Sequence, residues 1–217
     1  MCGRFTLTTE DVAVLARAWG AEVDDAVRAA WRPRFNVAPG DAHLVLRAAD
    51  GGRRLARASF GLAGAGGKLL LNARIETAAG TPSFREAWRL RRGAVPADGF
   101  FEWDGPGAAR RPTWFHRPDR GPLLLAALWG GSPGGGIGFA ILTTEADAIV
   151  RPVHDRMPVI VPSGRLDAWL AGAPGALPCP DVPALVATRV SQRVNSVAND
   201  DAACLAPAPP DAQRTLL

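Results

Sequence analysis

Short apolar runs, separated by clusters of glycine and proline, are the feature that most constrains the fold of this chain. They predict β-strands at residues 43–47, 55–60, 68–71, 94–103, 123–129, 137–143 and 158–161. Glycine-rich stretches at residues 64–67 and 132–136 separate neighbouring strands. Many short strands with interspersed helices, and no repeated strand–helix–strand pattern, predict an α+β fold.

Three helices are predicted among the strands. The first covers about residues 9–19, with Thr8 as its N-cap and a buried stripe of Val12, Leu15, Ala16 and Trp19. The second begins at Thr81 and Pro82 and buries Phe84, Ala87 and Trp88. The third begins near Ser163 and buries Leu166, Trp169 and Leu170.

Charge and cysteine content exclude several classes of protein. The chain has 25 Lys and Arg against 21 Asp and Glu, and Lys68 is its only lysine. Arginine suits phosphate recognition, but genome composition also produces this bias, so charge alone does not identify a partner.

Three cysteines and three histidines without metal-ligand spacing predict neither a metal site nor a disulfide framework, and no cofactor is expected. The chain lacks an apolar run of 18 residues and a signal-peptide pattern, which predicts a cytoplasmic protein with no membrane partner.

The cysteine at position 2 is the first candidate for chemistry. Removal of Met1 would leave Cys2 with a free α-amine and a thiol, a pair that condenses with an aldehyde to a five-membered thiazolidine. The ordinary pKa values of the two groups are about 8 and 8.5, so both nucleophiles are accessible near neutral pH. Taken alone, a cysteine at an N-terminus is more often chemically idle.

Other polar residues stand inside or beside apolar runs, where chains avoid them unless they are satisfied or used. Glu102 lies among aromatics, where burial would raise its pKa and suit it to general acid–base work. His154 precedes an apolar strand, and its titration range suits proton transfer. Asn72 and Arg74 end another apolar run, and Arg74 and Arg156 could hold phosphates. Each residue also has a structural interpretation, as a satisfied core side chain or a strand-end polar group.

Taken together, these stretches resemble the SOS response-associated peptidase (SRAP) family over nearly the whole chain. The matching blocks are MCGRF at the start, RFNVAPG at 34–40, NARIET at 72–77, FREAWRLRRGAVPADGFFEW at 84–103, ILTTEAD at 141–147, HDRMPVI at 154–160 and RVNSVAND at 193–200. The resemblance implies a single SRAP domain at residues 1–204, with mostly antiparallel sheets curled like a barrel and flanking helices. An alanine- and proline-rich tail follows at 205–217.

The resemblance also implies a function, because such proteins crosslink covalently to abasic sites in single-stranded DNA and protect them in the SOS-type damage response. Cys2 would be the nucleophile, Asn72 would position the N-terminus and the sugar, and Glu102 and His154 would be the acid–base pair. Cys2, Asn72, Glu102 and His154 are therefore the expected catalytic residues.

Five further residues are expected at the DNA. By the resemblance, Arg74 and Arg156 grip phosphates, Arg4 and Asn36 line the same cleft, and Phe60 stacks on a base. The family usually has tryptophan at the Phe60 position, and the following segment is short here. The implied partner is single-stranded DNA with an abasic site, including junctions with a 3′ end beside the lesion. A monomer that joins the nucleoid when bound to DNA is expected.

Three other functions stay open from the sequence. A cysteine-dependent peptidase could use Cys2, His154 and Glu102 to remove Met1 or to cleave other peptides. An abasic-site lyase would use only the Cys2 amine and cut the strand by β-elimination. A non-catalytic module would bind single-stranded DNA and form no covalent adduct.

Overall fold

The computed structural model describes residues 2–107, 110–179 and 181–209. Its helices are α1 (Val12–Ala18), α2 (Asp25–Ala30), α3 (Arg85–Leu90) and α4 (Leu166–Leu170). Short 3₁₀ turns cover Ala65–Gly67, Ser163–Arg165, Gln192–Asn195 and Ala202–Leu205. The strands are β1 (Phe5–Leu7), β2 (Ala21–Val23), β3 (Arg34–Val37), β4 (Ala42–Ala49), β5 (Gly52–Phe60), β6 (Leu62–Ala63), β7 (Leu69–Leu70), β8 (Asn72–Arg74), β9 (Arg92–Ala97), β10 (Gly99–Asp104), β11 (Arg111–His116), β12 (Leu123–Gly131), β13 (Ile137–Glu145), β14 (Arg156–Pro158) and β15 (Val186–Arg189).

The larger sheet closes on itself as a barrel. Strands β13, β12, β9, β4 and β5 pair antiparallel in that order, and β5 then pairs with β13 in parallel to close the ring. At the closure Ser59 lies opposite Gly138 and Phe60 opposite Phe139. Strands β2, β8 and β14 extend this sheet. The mixed α/β composition and the curled, mostly antiparallel sheet confirm the predicted fold class.

A second, antiparallel sheet covers one side of the barrel. Its strand order is β15–β11–β10–β1–β3, with Phe5 of β1 opposite Phe100 of β10. Only Asp98 separates β9 in the barrel from β10 in this sheet, so the chain passes directly from one sheet to the other. The buried Asp98 carboxylate accepts hydrogen bonds from the Thr6 hydroxyl and from the backbone and hydroxyl of Thr8, which fixes β1 at this corner.

Strand alternation divides the apolar side chains between two main cores. Val45 of β4 and Phe100 of β10 point into the core between the barrel and the second sheet, which also contains Cys2. Leu44 and Leu46 point to the opposite side of β4, into the core that the helices cover. A third, smaller cluster packs the other face of the second sheet against the two C-terminal 3₁₀ turns.

All three predicted helices are present, as α1, α3 and α4, and each is shorter than predicted. The N-cap of α1 is Asp11 rather than Thr8, since the Asp11 side chain accepts a hydrogen bond from the Ala13 amide. The predicted buried stripe of α1 is confirmed. The short α2 was not predicted, because it has no fully buried residue and therefore no apolar stripe.

The predicted strands of the barrel are confirmed within a few residues, with one correction. The apolar run 94–103 is two strands, β9 and β10, rather than one. Several strands of the second sheet, including β1, β3, β11 and β15, were not predicted, since they are short and carry mixed residues. At the C-terminus, Ala206 and Ala208 hydrogen-bond to residues 189–191, and residues 210–217 of the predicted tail lie outside the described residues.

No helix among the described residues is long and apolar enough to cross a membrane.

The barrel closure allows a direct test by Gly138→Ala. A Cβ at Gly138 would overlap the carbonyl oxygen of Gly61, which is backbone and cannot move aside without opening the β5–β13 pairing. We expect a loss of about 2–4 kcal/mol in the free energy of unfolding by urea. Gly134→Ala is the control, since its Cβ meets nothing within 4 Å. Equal stabilities of the two variants would contradict this account of the closure.

We expect His43 to make the stability of the fold depend on pH. Burial lowers its pKa to about 4, and its Nε2 lies 2.8 Å from the Pro96 carbonyl oxygen, which assigns the ring proton to Nε2. Because the unfolded chain protonates His43 near pH 6.5, we expect the free energy of unfolding to fall by up to roughly 3 kcal/mol between pH 6.5 and pH 4. Urea unfolding across this range should show a smaller fall for His43→Phe. An identical slope in both proteins would exclude His43 as the cause.

Candidate active site

A cleft with a volume of about 650 Å³ lies where the N-terminal segment meets the end of β10. It is lined by residues from five separate parts of the chain, among them Arg4, Pro39, Glu102, Trp103, Arg110, His154 and Asn195. Two of the four expected catalytic residues, Glu102 and His154, are therefore in one cleft. Cys2 is buried beneath the N-terminal wall of this cleft, next to the lining residue Gly3.

Cys2 is fully buried in the core between the barrel and the second sheet. Its backbone carbonyl accepts a hydrogen bond of 2.9 Å from the Asn72 side-chain amide, so the first residues of β8 fix the start of the chain. Burial raises the pKa of the Cys2 thiol far above its ordinary value, and the negative charge of Glu102 raises it further. The thiol is therefore neutral at physiological pH.

Glu102 is buried on the same face of β10 as Phe100, which packs in the core with Cys2. The alternation of the strand explains this position, since Phe101 and Trp103 point to the other side. Burial raises the pKa of Glu102, and nearby positive charge, including that of His154, offsets part of this effect. A carboxyl group with a raised pKa can donate a proton near neutral pH.

His154 has a defined tautomer in its neutral form. Its Nδ1 accepts a hydrogen bond of 2.9 Å from the backbone N–H of Arg156, so the ring proton belongs to Nε2. The Asp155 carboxylate lies 3.0 Å from Nδ1 and can stabilise the protonated ring. The loop thus fixes both the orientation of the imidazole and the nitrogen that carries its proton.

A tryptophan and two arginines in contact with its ring form one wall of the cleft. The guanidinium carbons of Arg4 and Arg110 lie 5.6 and 5.5 Å from the centre of the Trp103 ring. The Trp103 Nε1 donates to Asn195 Oδ1 at 2.7 Å, which fixes the plane of the ring. This wall combines positive charge with an aromatic surface.

Asn36 does not line the cleft, contrary to expectation. It is completely buried, and its side-chain amide donates to the carbonyl oxygens of Val194, Ser196 and Asn199 at 3.3, 3.0 and 2.7 Å. Its Oδ1 accepts a bond of 2.8 Å from Arg4. Asn36 therefore holds the segment 194–199 and Arg4 against the wall of the cleft.

The expected role of Phe60 at the DNA is wrong for this structure. The Phe60 side chain is fully buried and stacks on Phe139 with ring centres 5.2 Å apart and planes 7° apart. It also makes an edge contact with Phe5. Phe60 is a core residue at the barrel closure and offers no face to a base.

The two expected phosphate-binding arginines have different environments. Arg74 is exposed at the end of β8 and forms no ion pair with any described residue. Arg156 is mostly buried, with 13% of its side chain exposed, and forms a two-point ion pair with Glu76. Arg74 is thus the available cation, whereas Arg156 is already engaged.

Sequence reasoning missed four residues of this region: Glu76, Trp103, Arg110 and Asn195. Three of them lie in motifs that carried the family resemblance, at NARIET, GFFEW and RVNSVAND, but nothing in the local pattern separates them from surface residues. Their roles depend on contacts between distant segments. Arg110 lies outside these motifs in a glycine-rich turn and has no sequence signal.

Among the described residues, no group of three or more His, Cys, Asp or Glu side chains is arranged to hold a metal ion.

The fold and the cleft define a one-domain protein in which a barrel and a second sheet bury a cysteine beside a glutamate and a histidine. The family model for SOS response associated peptidase (SRAP) matches residues 1–197. This chain therefore belongs to the SRAP family, as its motifs indicated.

Relatives and solved structures agree with this assignment. The chain is similar to the abasic site processing protein YedK of Escherichia coli (strain K12), with 35% identity over 78% of this chain and 79% of YedK. It is similar to the abasic site processing protein YoqW of Bacillus subtilis (strain 168), with 29% identity over 78% and 80% of the two chains. A crystal structure from Bordetella bronchiseptica, 26% identical, matches 88% of this chain and all of its own with a TM-score of 0.70. One from Bacteroides thetaiotaomicron, 20% identical, shares the fold over 96% of this chain and all of its own, with a TM-score of 0.78.

Asn36→Ala tests whether this side chain holds the cleft wall together. The change leaves the carbonyl oxygens of Ser196 and Asn199 without this donor and removes the Asn36 acceptor of Arg4, so we expect a loss of about 2–3 kcal/mol in the free energy of unfolding. Asn199→Ala removes a single hydrogen bond, to the Arg193 carbonyl oxygen, and should lose about 1 kcal/mol or less. Urea unfolding measures both values, and similar losses would rule out a special role for Asn36.

Proposed function

We propose that this protein processes abasic sites by forming a covalent thiazolidine with the opened sugar through Cys2. The observation that carries the proposal is that Cys2, held by Asn72, is buried beside a cleft that contains both Glu102 and His154. The names of the similar proteins from E. coli and B. subtilis support abasic-site processing as the activity.

The proposed reaction needs no external oxidant or cofactor. Removal of Met1 by hydrolysis frees the Cys2 α-amine. This amine attacks the sugar aldehyde, a C–N bond forms, and one water leaves to give an imine. The thiol sulfur then bonds to the imine carbon, and the thiol proton passes to the nitrogen. Overall, the aldehyde and the aminothiol give a thiazolidine and one water.

The charge states in the cleft support this order of steps. Because the Cys2 thiol is buried and neutral, the amine is the stronger nucleophile for the first attack. Glu102, whose pKa burial raises, supplies the proton that opens the sugar ring and removes water. His154, with a proton on Nε2 and a carboxylate at Nδ1, moves the second proton as the thiol adds.

The DNA contacts that we propose are independent of base sequence. We propose that Arg4 and Arg110, which line the cleft, and Arg74, which is exposed at the end of β8, contact backbone phosphates. The exposed part of Trp103 offers an aromatic surface beside a site without a base. Single-stranded DNA is the substrate that we propose, including junctions with a 3′ end beside the lesion, and one copy of the chain supplies every residue named here.

Intact-mass spectrometry tests this proposal. The protein is measured before and after incubation with a single-stranded oligonucleotide that carries one abasic site. We expect loss of Met1 and a heat-stable adduct whose mass is the sum of both molecules less one water. Cys2→Ala should form no such adduct. Cys179→Ala, which changes a cysteine that does not line the cleft, should behave as wild type.

Other outcomes would assign a different activity. A processed terminus without an adduct contradicts the crosslinking proposal. A cut strand without an adduct, retained in Cys2→Ser, would indicate a lyase that uses the amine alone. Cleavage of peptides without any reaction at abasic DNA would indicate a peptidase.

A further inference from the structure

Glu76 and Arg156 form a two-point ion pair at the edge of the candidate active site. Arg156 Nη1 donates to Glu76 Oε1 at 3.0 Å and Nη2 donates to Oε2 at 2.9 Å. Nη2 also donates to the Thr143 carbonyl oxygen at 2.7 Å. The hydrogen bond from Arg156 lowers the pKa of Glu76, so the carboxylate is charged at neutral pH. Paired guanidinium and carboxylate groups in this fork geometry have a fixed relative orientation.

The ion pair spans β13. On one side, Arg74 of β8 pairs with Thr143 of β13, and Glu76 follows two residues later. On the other side, Pro158 of β14 pairs with the same Thr143. Arg156 begins β14, so its side chain reaches past Thr143 to Glu76. The pair therefore joins two segments that are both hydrogen-bonded to β13.

These two segments carry different halves of the proposed chemistry. The β8 segment carries Asn72, whose side chain holds the Cys2 carbonyl. The β14 segment begins two residues after His154, and the Arg156 backbone N–H donates to His154 Nδ1. The position of Arg156 thus determines which nitrogen of His154 carries the proton. The same residue is bound through its guanidinium to the segment that positions Cys2.

We propose that Glu76 is a positioning residue that, through Arg156, fixes the orientation and tautomer of His154 relative to Cys2. This inference rests on the proposed function. In the free protein it gives Arg156 the role of joining the β14 segment to the β8 segment, since both of its terminal nitrogens are engaged.

Glu76→Gln tests the inference, because it keeps the size of the side chain and removes its charge. In single-turnover reactions with an abasic oligonucleotide, we expect the crosslinking rate to fall about tenfold, with an unchanged protein concentration for half-maximal rate. Glu86→Gln is the matched control. It breaks the 2.9 Å ion pair between Glu86 of α3 and Arg91, the residue that follows this helix, and changes the net charge equally. Neither residue lines the cleft. The control should react as wild type.

A spectroscopic measurement tests the same inference without the reaction. The ¹⁵N NMR shifts of the His154 ring report which nitrogen carries the proton in the neutral form. We expect a single Nε2–H tautomer in wild type and Glu86→Gln, and a mixture in Glu76→Gln. Arg156→Lys keeps the positive charge but cannot form the two-point contact with Glu76, so it should show the same mixture of tautomers. This variant replaces Glu76→Gln as the test if Glu76→Gln does not fold.

Each result separates the possible explanations. If Arg156 only binds phosphate, Glu76→Gln releases it, tightens binding to abasic DNA and leaves the His154 tautomer unchanged, which would overturn the inference. Equal crosslinking rates in wild type and Glu76→Gln would overturn it as well. A wild type that forms no adduct contradicts the proposed function instead, and the NMR comparison still decides the role of Glu76.

Discussion

The parallel hydrogen bonding along one edge of β13 is the interaction on which the rest of the structure depends. The first part of this edge pairs with β5 and closes the barrel, and the next part pairs with β8, which carries Asn72. β5 and β8 follow one another along this edge, and residues 61–71 connect them. The small β6–β7 hairpin fills that connection. The same edge therefore closes the core and positions the side chain that holds Cys2.

Burial of the N-terminal segment is the second constraint, and it is unusual because chain ends are commonly frayed. β1 lies between β3 and β10 in the second sheet, and Asp98 ties its end to the corner where the chain leaves the barrel. The strand thus has hydrogen-bond partners on both sides and a fully buried apolar face. These contacts give Cys2 a fixed position that a free terminus would lack.

The sequence was sufficient for the fold class, the barrel strands and the residues that are buried around the cleft. Continuous apolar runs such as β12 and β13 predict strands without further knowledge, and the family motifs pointed to Cys2, Asn72, Glu102 and His154 as the expected site residues. The second sheet was harder, since β1 and β15 are three or four residues long and depend on partners far along the chain. The sequence also did not predict that Phe60 is buried, because the β5–β13 closure, rather than the residues next to it in the sequence, determines its environment.

Because the Cys2 thiol is buried and protonated, it is protected from oxidation in the cell. Thiols are oxidised by peroxide and exchange with disulfides chiefly as thiolates, and exposed cysteines with low pKa values react first. Cys2 has no exposed surface, and burial and Glu102 both keep it protonated. A side chain in this state resists sulfenic acid formation and mixed disulfides with small thiols. Under the proposed function, this protection keeps reduced the thiol that would close the thiazolidine ring.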